Sequence, residues 1–566
     1  MAVPPLTASL SDAVAAALAT AGVPEVAPRI RRSQHADFQA DGVLASAGAV
    51  RRDPRALAAE VAAALPTGDR LAAASVAGPG FVNLDLTDGA LLDQLAARLA
   101  DPRLGVGTPE SGVTTVVDYS QPNVAKEMHV GHLRSTIIGD ALVRTLEHLG
   151  GDVIRRNHLG DWGTQFGMLV QQLVEHPEPA APSMSRLLEL YRAARVRFES
   201  DPAFADRARR RVVALQSGDR ATVAAWREMV DESERYFTEV YDRLGVRLTP
   251  ADAVGESAYN DALPGIADEL ERTGVAVTSD GALCVFTDFT STPLIVRKSD
   301  GGYGYAATDL AALRQRVGEL HADRLLYVVD ARQSLHFRLL FAAATRAGWL
   351  PATVSATHVA FGTVLGNDGR PFQTRSGDTV RLIDLLTDAV DRARTVVAAK
   401  NPDLTGAALD ERARAVGIGA VKYADLATGR TRDYVYDPDR MLALTGDTGV
   451  YLQYAHARIR SILARAGSAR PQVAPGVPVH PAERALILDL DAFAETLADV
   501  VATYEPHRLC AYLHRLAQTF TTFYDQCPVL RAEGPTRTNR LALCHLTGDT
   551  LHTGLSLLGI EAPDQL

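Results

Sequence analysis

The sequence predicts an α/β protein built around a parallel sheet that carries a helical insertion, with a small α+β domain before it and an all-α region after it. At 566 residues the chain is too long for one hydrophobic core, so about three or four domains of ~150 residues are expected. Strand and helix patterns alternate after Thr114 and again from Val275 to Leu386, which is typical of parallel sheets. The rest of the second half is helix-patterned.

The first domain is predicted to end near residue 110. Pro54 to Leu65 has apolar residues at helical spacing, and Gly78 to Leu86 reads as a strand. Asp101 to Gly112 is rich in Gly, Pro and Asp and is interpreted as a linker.

The central domain opens with a short buried strand from Thr114 to Ser120. From Val130 apolar residues recur at helical spacing until Gly150-Gly151 ends the run, and the strand-like DVIRRNHLG follows. Residues 169–250 are Arg/Glu-rich and periodic without β signals, which indicates a helical insertion. After Leu386 only a Pro/Gly-rich break at Ala466 to Pro481 interrupts the helical pattern.

Composition limits the function classes. A hydrophobic share of 47% with 22% charged residues is that of a soluble globular protein. The start of the chain lacks a signal-peptide pattern, and no uncharged apolar run reaches the ~18–20 residues of a membrane helix, so we expect a cytoplasmic protein. The net charge of −10 disfavours indiscriminate nucleic-acid binding but leaves room for a local basic track on one RNA.

The cysteines predict neither a metal site nor a disulfide framework. Cys284, Cys510, Cys527 and Cys544 lie far apart without any C-x-x-C pair. We therefore expect reduced thiols and no structural zinc.

The most informative stretch is DYSQPNVAKEMHVGHLRS, from Asp118 to Ser135. Its core, His129-Val130-Gly131-His132, falls where a strand passes into a helix, and backbone N–H groups at a helix N-terminus favour phosphate. Two imidazoles there can donate to a triphosphate, and Gly131 lets a nucleotide approach the backbone. Taken alone, the pattern also fits histidines that cap a helix or lie on the surface.

The flanks of this core favour a function. His-x-Gly-His opening a helix after a first strand resembles the signature of class I aminoacyl-tRNA synthetases. The upstream S-x-P-N-x-A-K, the downstream L-R-S-T-I-I-G-D and NHLGDWGTQFG resemble arginyl-tRNA synthetases specifically. Further stretches resemble that family in its order, and together they span nearly the whole chain: GPGFVN (78–83), GGYGYAATDLAAL (301–313), VVDARQSLHF (328–337), FGTVLGNDGRPFQTRSGDTV (361–380), GDTGVYLQYAHARIRSIL (446–463) and LLGIEAP (557–563).

The resemblance implies a ligase with a Rossmann-like catalytic domain. It would join L-arginine to the 3′ end of tRNA(Arg) through arginyl-adenylate, consuming ATP and releasing AMP and pyrophosphate, with Mg²⁺ only as the companion of ATP. A monomer is expected. The implied domains are a tRNA-contacting (D-loop) domain at 1–110, the class I catalytic domain at 111–386, a helical connection at 387–445 and an all-helical anticodon-binding domain at 446–566.

For ATP the resemblance points to the signature and to a second nucleotide loop. That loop usually has the form Lys-Met-Ser-Lys, but here the stretch is Phe372-Gln373-Thr374-Arg375 followed by Ser376, without lysine. The chain has lysine at four positions only, and Lys126, just upstream of the signature, is thought to compensate as a point charge on phosphate. The expected catalytic residues are Lys126, His129, His132 and Arg375; the expected ATP-binding residues add Gly131, Phe361, Gly362, Gln373 and Thr374.

A selective arginine pocket needs carboxylates and in-plane acceptors, because guanidinium is a planar fork of donors. By resemblance, Asp309 pairs the guanidinium and Tyr305, one helical turn away, bounds it. The expected arginine-binding residues are completed by Asp118, Ser120, Asn123, His132 and Gln333. For each acid taken singly, a helix cap or surface ion pair is the ordinary alternative.

RNA contacts are expected at both ends of the chain. By resemblance Asn83 touches the D-loop, and one later helix carries side chains suited to stacking and phosphate pairing: Tyr451, Tyr454, His456, Arg458 and Arg460. Tyrosines three residues apart are also common in cores, and this alternative stays open.

Three other functions compete with this one. A cysteinyl-type class I enzyme would call for zinc ligands and a lysine-bearing second loop, which the sequence lacks. A non-catalytic paralogue is disfavoured because His129, His132 and Asp309 are all present. A specialised copy, resisting an arginine mimic or feeding a biosynthetic ligase, has no distinguishing sequence feature.

Overall fold

The structure of the protein, a computed structural model, describes residues 3–23, 26–177, 183–372, 380–467 and 470–566. Among these residues, no helix is both long enough and apolar enough to cross a membrane.

The N-terminal part is a four-stranded antiparallel sheet with helices packed on it, as the strand-like stretch at 78–86 predicted. Along the last strand in sequence, alternate side chains are buried, so one face of the sheet forms the core. The strand order is β1-β2-β4-β3. The elements are α1 (Leu6–Thr20), β1 (Ile30–Arg32), β2 (Phe38–Ala40), α2 (Gly42–Ala49), α3 (Pro54–Ala64), β3 (Leu71–Ala77), β4 (Phe81–Leu86) and α4 (Asp88–Ala100).

The central part contains the predicted parallel sheet and the helical insertion. Its elements are β5 (Thr114–Asp118), α5 (Val130–His148), β6 (Asp152–Leu159), the insertion helices α6 (Thr164–Glu175), α7 (Met184–Ser200), α8 (Pro202–Gln216) and α9 (Arg220–Leu244), then β7 (Ala253–Gly255), α10 (Leu263–Arg272), β8 (Val277–Ser279), β9 (Ala282–Thr287), β10 (Thr290–Arg297), α11 (Tyr305–Gly318), β11 (Arg324–Tyr327), α12 (Ser334–Arg346) and β12 (Ser355–His358), with short 3-10 helices at Pro250–Asp252, Glu256–Ala262 and Ala331–Gln333.

The parallel sheet has the order β12-β11-β5-β6-β7, which places β5 in the middle. Val116 and Val117 of β5 are fully buried because helices cover both faces, and this explains the continuous apolar run in the sequence. The chain adds β6 and β7 on one side of β5 and then β11 and β12 on the other side, so the direction of strand addition reverses at β5. Ligands of such sheets bind beyond the carboxyl ends of the strands at this reversal. The predicted α/β architecture is confirmed.

Not every strand between Val275 and Leu386 joins this sheet. The strands β8, β9 and β10 form a separate antiparallel sheet of three. Their inner face, with Leu283, Val285 and Leu294, packs into a second core beside α11 and α12. Alternating strand and helix patterns do not indicate which sheet a strand joins, so the two sheets could not be distinguished from the sequence.

The remainder is helical apart from a two-residue parallel pairing of β13 and β14. Its elements are β13 (Val364–Leu365), α13 (Leu382–Lys400), α14 (Gly406–Leu426), β14 (Tyr434–Val435), α15 (Pro438–Met441), α16 (Gly449–Ala466), α17 (Pro481–Asp491), α18 (Phe493–Thr503), α19 (His507–Gln526) and α20 (Gly534–Leu557).

Buried polar contacts fasten the parts to one another. Arg98 of α4 pairs with Asp491 of α17 at 2.7 Å, and both side chains are almost fully buried. The Lys422 ammonium group of α14 donates to the Gly559 carbonyl at 2.7 Å and lies 3.5 Å from the Gly245 carbonyl. Both carbonyls follow helix C-termini, where a cation is favoured.

Candidate active site

The His-x-Gly-His turn is the N-terminus of α5, with His129 as the capping residue. The His129 N–H donates to His132 Nδ1 at 3.1 Å, and the Gly131 N–H donates to His129 Nδ1 at 3.0 Å. A Cβ atom at Gly131 would lie 2.7 Å from the His129 ring, so glycine lets this ring fold back over the turn. The two rings are 4.1 Å apart.

Burial sets the charge of both rings, and the capping hydrogen bonds set which nitrogen carries the proton. Burial lowers the pKa of His132 to about 3, and burial, then the charges of Arg332 and Lys126, lowers the pKa of His129. Both imidazoles are therefore neutral at pH 7. Since each Nδ1 accepts a backbone N–H, the proton of each neutral ring is on Nε2. The turn thus presents two N–H donors at a helix N-terminus, an arrangement suited to phosphate oxygens.

The loop between β5 and α5 has a strained backbone. Ser120, Gln121 and Ala125 have φ angles of 75°, 53° and 61° although none is glycine. Polar contacts from other elements hold two of them: the Gln121 N–H donates to Asn157 Oδ1 at 3.0 Å, and the Ala125 N–H donates to Ser233 Oγ at 2.9 Å. The loop is therefore fixed from outside, by β6 and by α9.

Lys126 is half-buried on this loop, with its ammonium group 5.0 Å from the centre of the Tyr191 ring. Its charge contributes to the lowered pKa of His129, so the structure brings Lys126 and the signature together. The insertion helix α7 supplies Tyr191, and a cation over an aromatic face is stabilised.

The second predicted nucleotide loop is described only at its edges. Gln373, Thr374, Arg375 and Ser376 lie outside the described residues. The chain resumes at Val380, whose carbonyl accepts the Val130 N–H at 3.1 Å, while the Leu382 N–H donates to the Met128 carbonyl at 2.9 Å. The segment that follows the loop is thus paired with the signature.

Phe361 and Gly362 have structural partners near this loop. Phe361 is buried, and its carbonyl accepts the Ala331 N–H at 3.0 Å. A Cβ atom at Gly362 would lie 2.6 Å from an Asp433 oxygen and 2.8 Å from the Arg432 backbone, so close chain packing requires this glycine. A contact of either residue with ATP stays a prediction.

The predicted guanidinium ligands lie on α11, close to a histidine of α12. His336 Nε2 donates to Asp309 Oδ2 at 2.7 Å, and His158 Nε2 of β6 is 3.8 Å from Asp309 Oδ1. The Tyr305 ring packs edge-on against His336 at 5.0 Å, with 65% of Tyr305 exposed. The Asp309 side chain is 21% exposed, so its carboxylate is anchored on one side and open on another.

Glu256 interacts with both Asp309 and Asp161, and sequence reasoning missed Glu256 and Asp161 as site residues. Glu256 begins a 3-10 helix directly after β7. Burial first, then the charges of Asp309 and Asp161, raise the pKa of Glu256 to about 8. Asp161, at the end of β6, also has a raised pKa, mainly because it is buried. Carboxyl groups that lie close together resist simultaneous ionisation, and a bound cation stabilises their charged forms. The signal in the sequence was the position of Glu256 after a sheet strand.

Asp118 and Ser120, both expected to bind arginine, have partners inside the protein. Asp118 is 2% exposed and pairs with the buried Arg316 of α11 at 2.7 Å, while its other oxygen is 3.4 Å from the His158 N–H. Ser120 is buried, with its hydroxyl 2.8 Å from that of Tyr241. Both side chains are engaged inside the protein, because α11 and α9 supply partners from far away in sequence. A direct contact of either side chain with arginine stays a prediction.

Asn123 and Gln333, the other expected arginine contacts, are exposed at the carboxyl edge of the sheet. Asn123 forms a backbone bridge to Gly160 after β6, and Gln333 is the residue before α12, with a side chain that makes no capping hydrogen bond. Both are accessible to a ligand in the cleft.

The predicted RNA-contacting side chains divide into accessible and packed ones. His456 is 2% exposed and its Nδ1 is 3.1 Å from the Pro563 carbonyl, so it packs inside rather than at the surface expected for RNA. Tyr454 and Arg458 are exposed, and Arg458 lies over the Tyr524 ring at 4.8 Å. The others have partners in the fold: Tyr451 with His514, Arg460 with Asp564, and Asn83 with Gln39.

Over the described ranges, no group of three or more His, Cys, Asp or Glu side chains is arranged so that it could hold a metal ion.

Comparisons with known proteins identify the family. Three family models match: "Arginyl tRNA synthetase N terminal domain" at residues 6–86, "tRNA synthetases class I (R), catalytic domain" at 95–438 and "DALR anticodon binding domain" at 452–566. The chain is 59% identical to an arginine–tRNA ligase of Frankia casuarinae, with 96% of each chain covered, and 56% identical to one of Streptomyces coelicolor, with 99% of each covered.

Solved structures agree. The arginyl-tRNA synthetase of Plasmodium falciparum superposes with a TM-score of 0.86 at 25% identity, covering 100% of both chains. That of Thermus thermophilus gives 0.82 at 28% identity, covering 99% of this chain and 100% of its own. With models matching along nearly the whole chain and relatives above half identity, the chain belongs to the arginyl-tRNA synthetase family of class I aminoacyl-tRNA synthetases.

Proposed function

We propose that this chain ligates L-arginine to the 3′ end of tRNA(Arg), and that the reaction occurs at the carboxyl edge of the parallel sheet. ATP is consumed and AMP and pyrophosphate are released, which is the reaction of the family. The observation that supports this site is a shared edge of the sheet: the His-x-Gly-His turn follows β5, and the carboxyl groups lie at the ends of β6 and β7 and on α11.

ATP would be held by the signature turn. His129 and His132 offer neutral Nε2–H donors to phosphate oxygens, and Lys126 adds the positive charge that these rings lack. Charge spread over the phosphate oxygens in the transition state is stabilised by such fixed donors. Mg²⁺ would arrive with ATP, whose oxygens are its preferred ligands. Arg375 of the second loop is proposed as a further phosphate contact.

Arginine would be recognised by the carboxyl cluster. Asp309, oriented by His336, pairs the guanidinium, with Tyr305 at the pocket edge. Glu256, missed from sequence, is the second candidate carboxylate, and a bound cation would favour its ionised form. Analogues without the guanidinium would leave these acids without their cationic partner, a penalty that can reach ~10⁴–10⁵ in discrimination.

The chemistry then follows in two steps. An oxygen of the arginine carboxylate attacks the α-phosphorus of ATP in line, forming arginyl-adenylate as pyrophosphate leaves. The 2′-hydroxyl of the terminal adenosine next attacks the adenylate carbonyl, and AMP leaves. Asn123 and Gln333, both exposed at the cleft, are proposed contacts for the α-ammonium end of arginine.

Transfer RNA would contact both ends of the chain. We propose the division 1–110 for the D-loop-contacting domain, 111–386 for the catalytic domain, 387–445 for the connection and 446–566 for the anticodon-binding domain. Tyr454 and Arg458 are exposed on α16 and are the best placed of the predicted RNA contacts.

The experiment is aminoacylation of bulk tRNA with each of the twenty amino acids, with and without ATP. Arginine alone is expected to be attached, and only when ATP is present. Attachment of another amino acid, or of none, would contradict the proposal.

A further inference from the structure

We infer that Tyr241, on insertion helix α9, is a positioning residue for adenylate formation, acting on the signature turn through Ser120 and Thr136. The inference rests on the proposed function. It adds to that function a residue that touches neither ATP nor arginine. Tyr241 is 3% exposed and belongs to the insertion rather than to the parallel sheet.

A chain of side-chain hydrogen bonds joins Tyr241 to the signature. Asn157 Nδ2 lies 3.0 Å from the Tyr241 hydroxyl, which lies 2.8 Å from Ser120 Oγ. Ser120 Oγ is 3.0 Å from Thr136 Oγ1, and Thr136 Oγ1 donates to the His132 carbonyl at 2.8 Å. The chain begins on β6 and ends on the backbone of a signature histidine.

The direction of this chain follows from the groups at its ends. Asn157 Oδ1 accepts the Gln121 N–H, so its amide nitrogen faces Tyr241 and donates. The Tyr241 proton is then free for Ser120 Oγ, which also accepts from Thr136 Oγ1, and the Thr136 proton is shared between Ser120 Oγ and the His132 carbonyl. Removing the Tyr241 or the Ser120 hydroxyl therefore takes a hydrogen-bond partner from its buried neighbours.

The backbone explains why such support is needed. Ser120 and Gln121, which Tyr241 and Asn157 hold, both have positive φ angles, and this conformation costs energy for residues other than glycine. Helix α9 holds a third such residue, Ala125, through Ser233. Lys126 follows Ala125 directly. The insertion therefore maintains the strained loop that carries the phosphate-facing lysine and leads into the two imidazoles.

The test compares three single variants in the full-length protein. Tyr241→Phe removes the hydroxyl and keeps the ring. Ser120→Ala removes the next link, so it gives the same readout if Tyr241→Phe does not fold. Tyr119→Phe is the matched control, because the Tyr119 hydroxyl is equally buried and has no hydrogen-bond partner among the residues that the structure describes.

The readouts are arginine-dependent ATP–pyrophosphate exchange with tRNA present, active-site titration and the thermal midpoint. For Tyr241→Phe, kcat per titrated site is expected to fall about tenfold, the effect of one buried hydrogen bond expressed in the transition state. The KM values for ATP and arginine should change less than about twofold, because the hydroxyl touches neither substrate. Ser120→Ala should reproduce this pattern, and Tyr119→Phe should keep the wild-type kcat.

The double variant tests whether the two hydroxyls act as one unit. Tyr241→Phe with Ser120→Ala should lose no more kcat than the worse single variant, whereas independent effects would multiply. A merely structural role would lower the titrated site fraction or the thermal midpoint and leave kcat per site unchanged, and that result would overturn the inference. If wild type itself attaches no arginine, it is the proposed function that fails.

Discussion

Replacing Asp309 with asparagine removes one charge from the carboxyl cluster and preserves the shape of the side chain. Asparagine can still bond His336, which holds Asp309 at 2.7 Å, so the pocket should keep its form. Loss of one partner from a fully buried ion pair costs about 3–5 kcal/mol. Since the Asp309 side chain is 21% exposed and Glu256 remains nearby, a smaller loss of about 2–3 kcal/mol is expected, equal to a decrease of roughly 30- to 150-fold in kcat/KM for arginine.

The assay is arginine-dependent ATP–pyrophosphate exchange with tRNA present, with each substrate varied in turn. The KM for ATP should remain within about twofold of wild type, because the signature turn is untouched. Asp268→Asn is the matched control, as this carboxylate is exposed on α10 and 3.9 Å from its ion-pair partner, Arg297. Unchanged kinetic constants for arginine in Asp309→Asn would refute the assignment of the pocket.

Three further predictions concern charged groups. Lys126→Met should slow pyrophosphate exchange by about 10²-fold or more with an unchanged thermal midpoint, and a near-normal rate would reject its role on phosphate. Burial and the nearby acids raise the pKa of Glu256 to about 8, so binding of cationic arginine should lower that pKa and release a proton at pH 7, and arginine affinity should rise with pH up to about 8. Calorimetry in buffers of different ionisation heat would detect the release, which Glu256→Gln should abolish. Burial lowers the pKa of Lys422 from 10.5 to about 8, so between pH 8 and 10.5 the unfolded chain binds more protons than the folded chain. The free energy of unfolding of wild type, relative to that of Lys422→Met, should therefore rise by roughly 3 kcal/mol as the pH increases across that window. A thermal-midpoint difference that stays flat from pH 8 to 10.5 would exclude this account of Lys422.

Features that depend on neighbours in the chain were predictable. The capping geometry of the signature involves residues 129–132 only, and the spacing of Tyr305 and Asp309 puts them on one face of a helix. The parallel sheet was predictable because a strand buried on both faces leaves a continuous apolar run. The helical insertion was predictable because its apolar residues repeat at helical spacing.

The fold class, the family and the helix-opening His-x-Gly-His turn could be predicted from the sequence alone, since local spacing and apolar periodicity carry that information. Tertiary structure decided which charged groups meet: Glu256 lies near Asp309, whereas Asp118 pairs with Arg316. It also buried His456 beneath the end of the chain and placed Tyr241 under the strained loop. These contacts join segments far apart in sequence, and only the packing of sheet, insertion and terminal helices determines which of them meet.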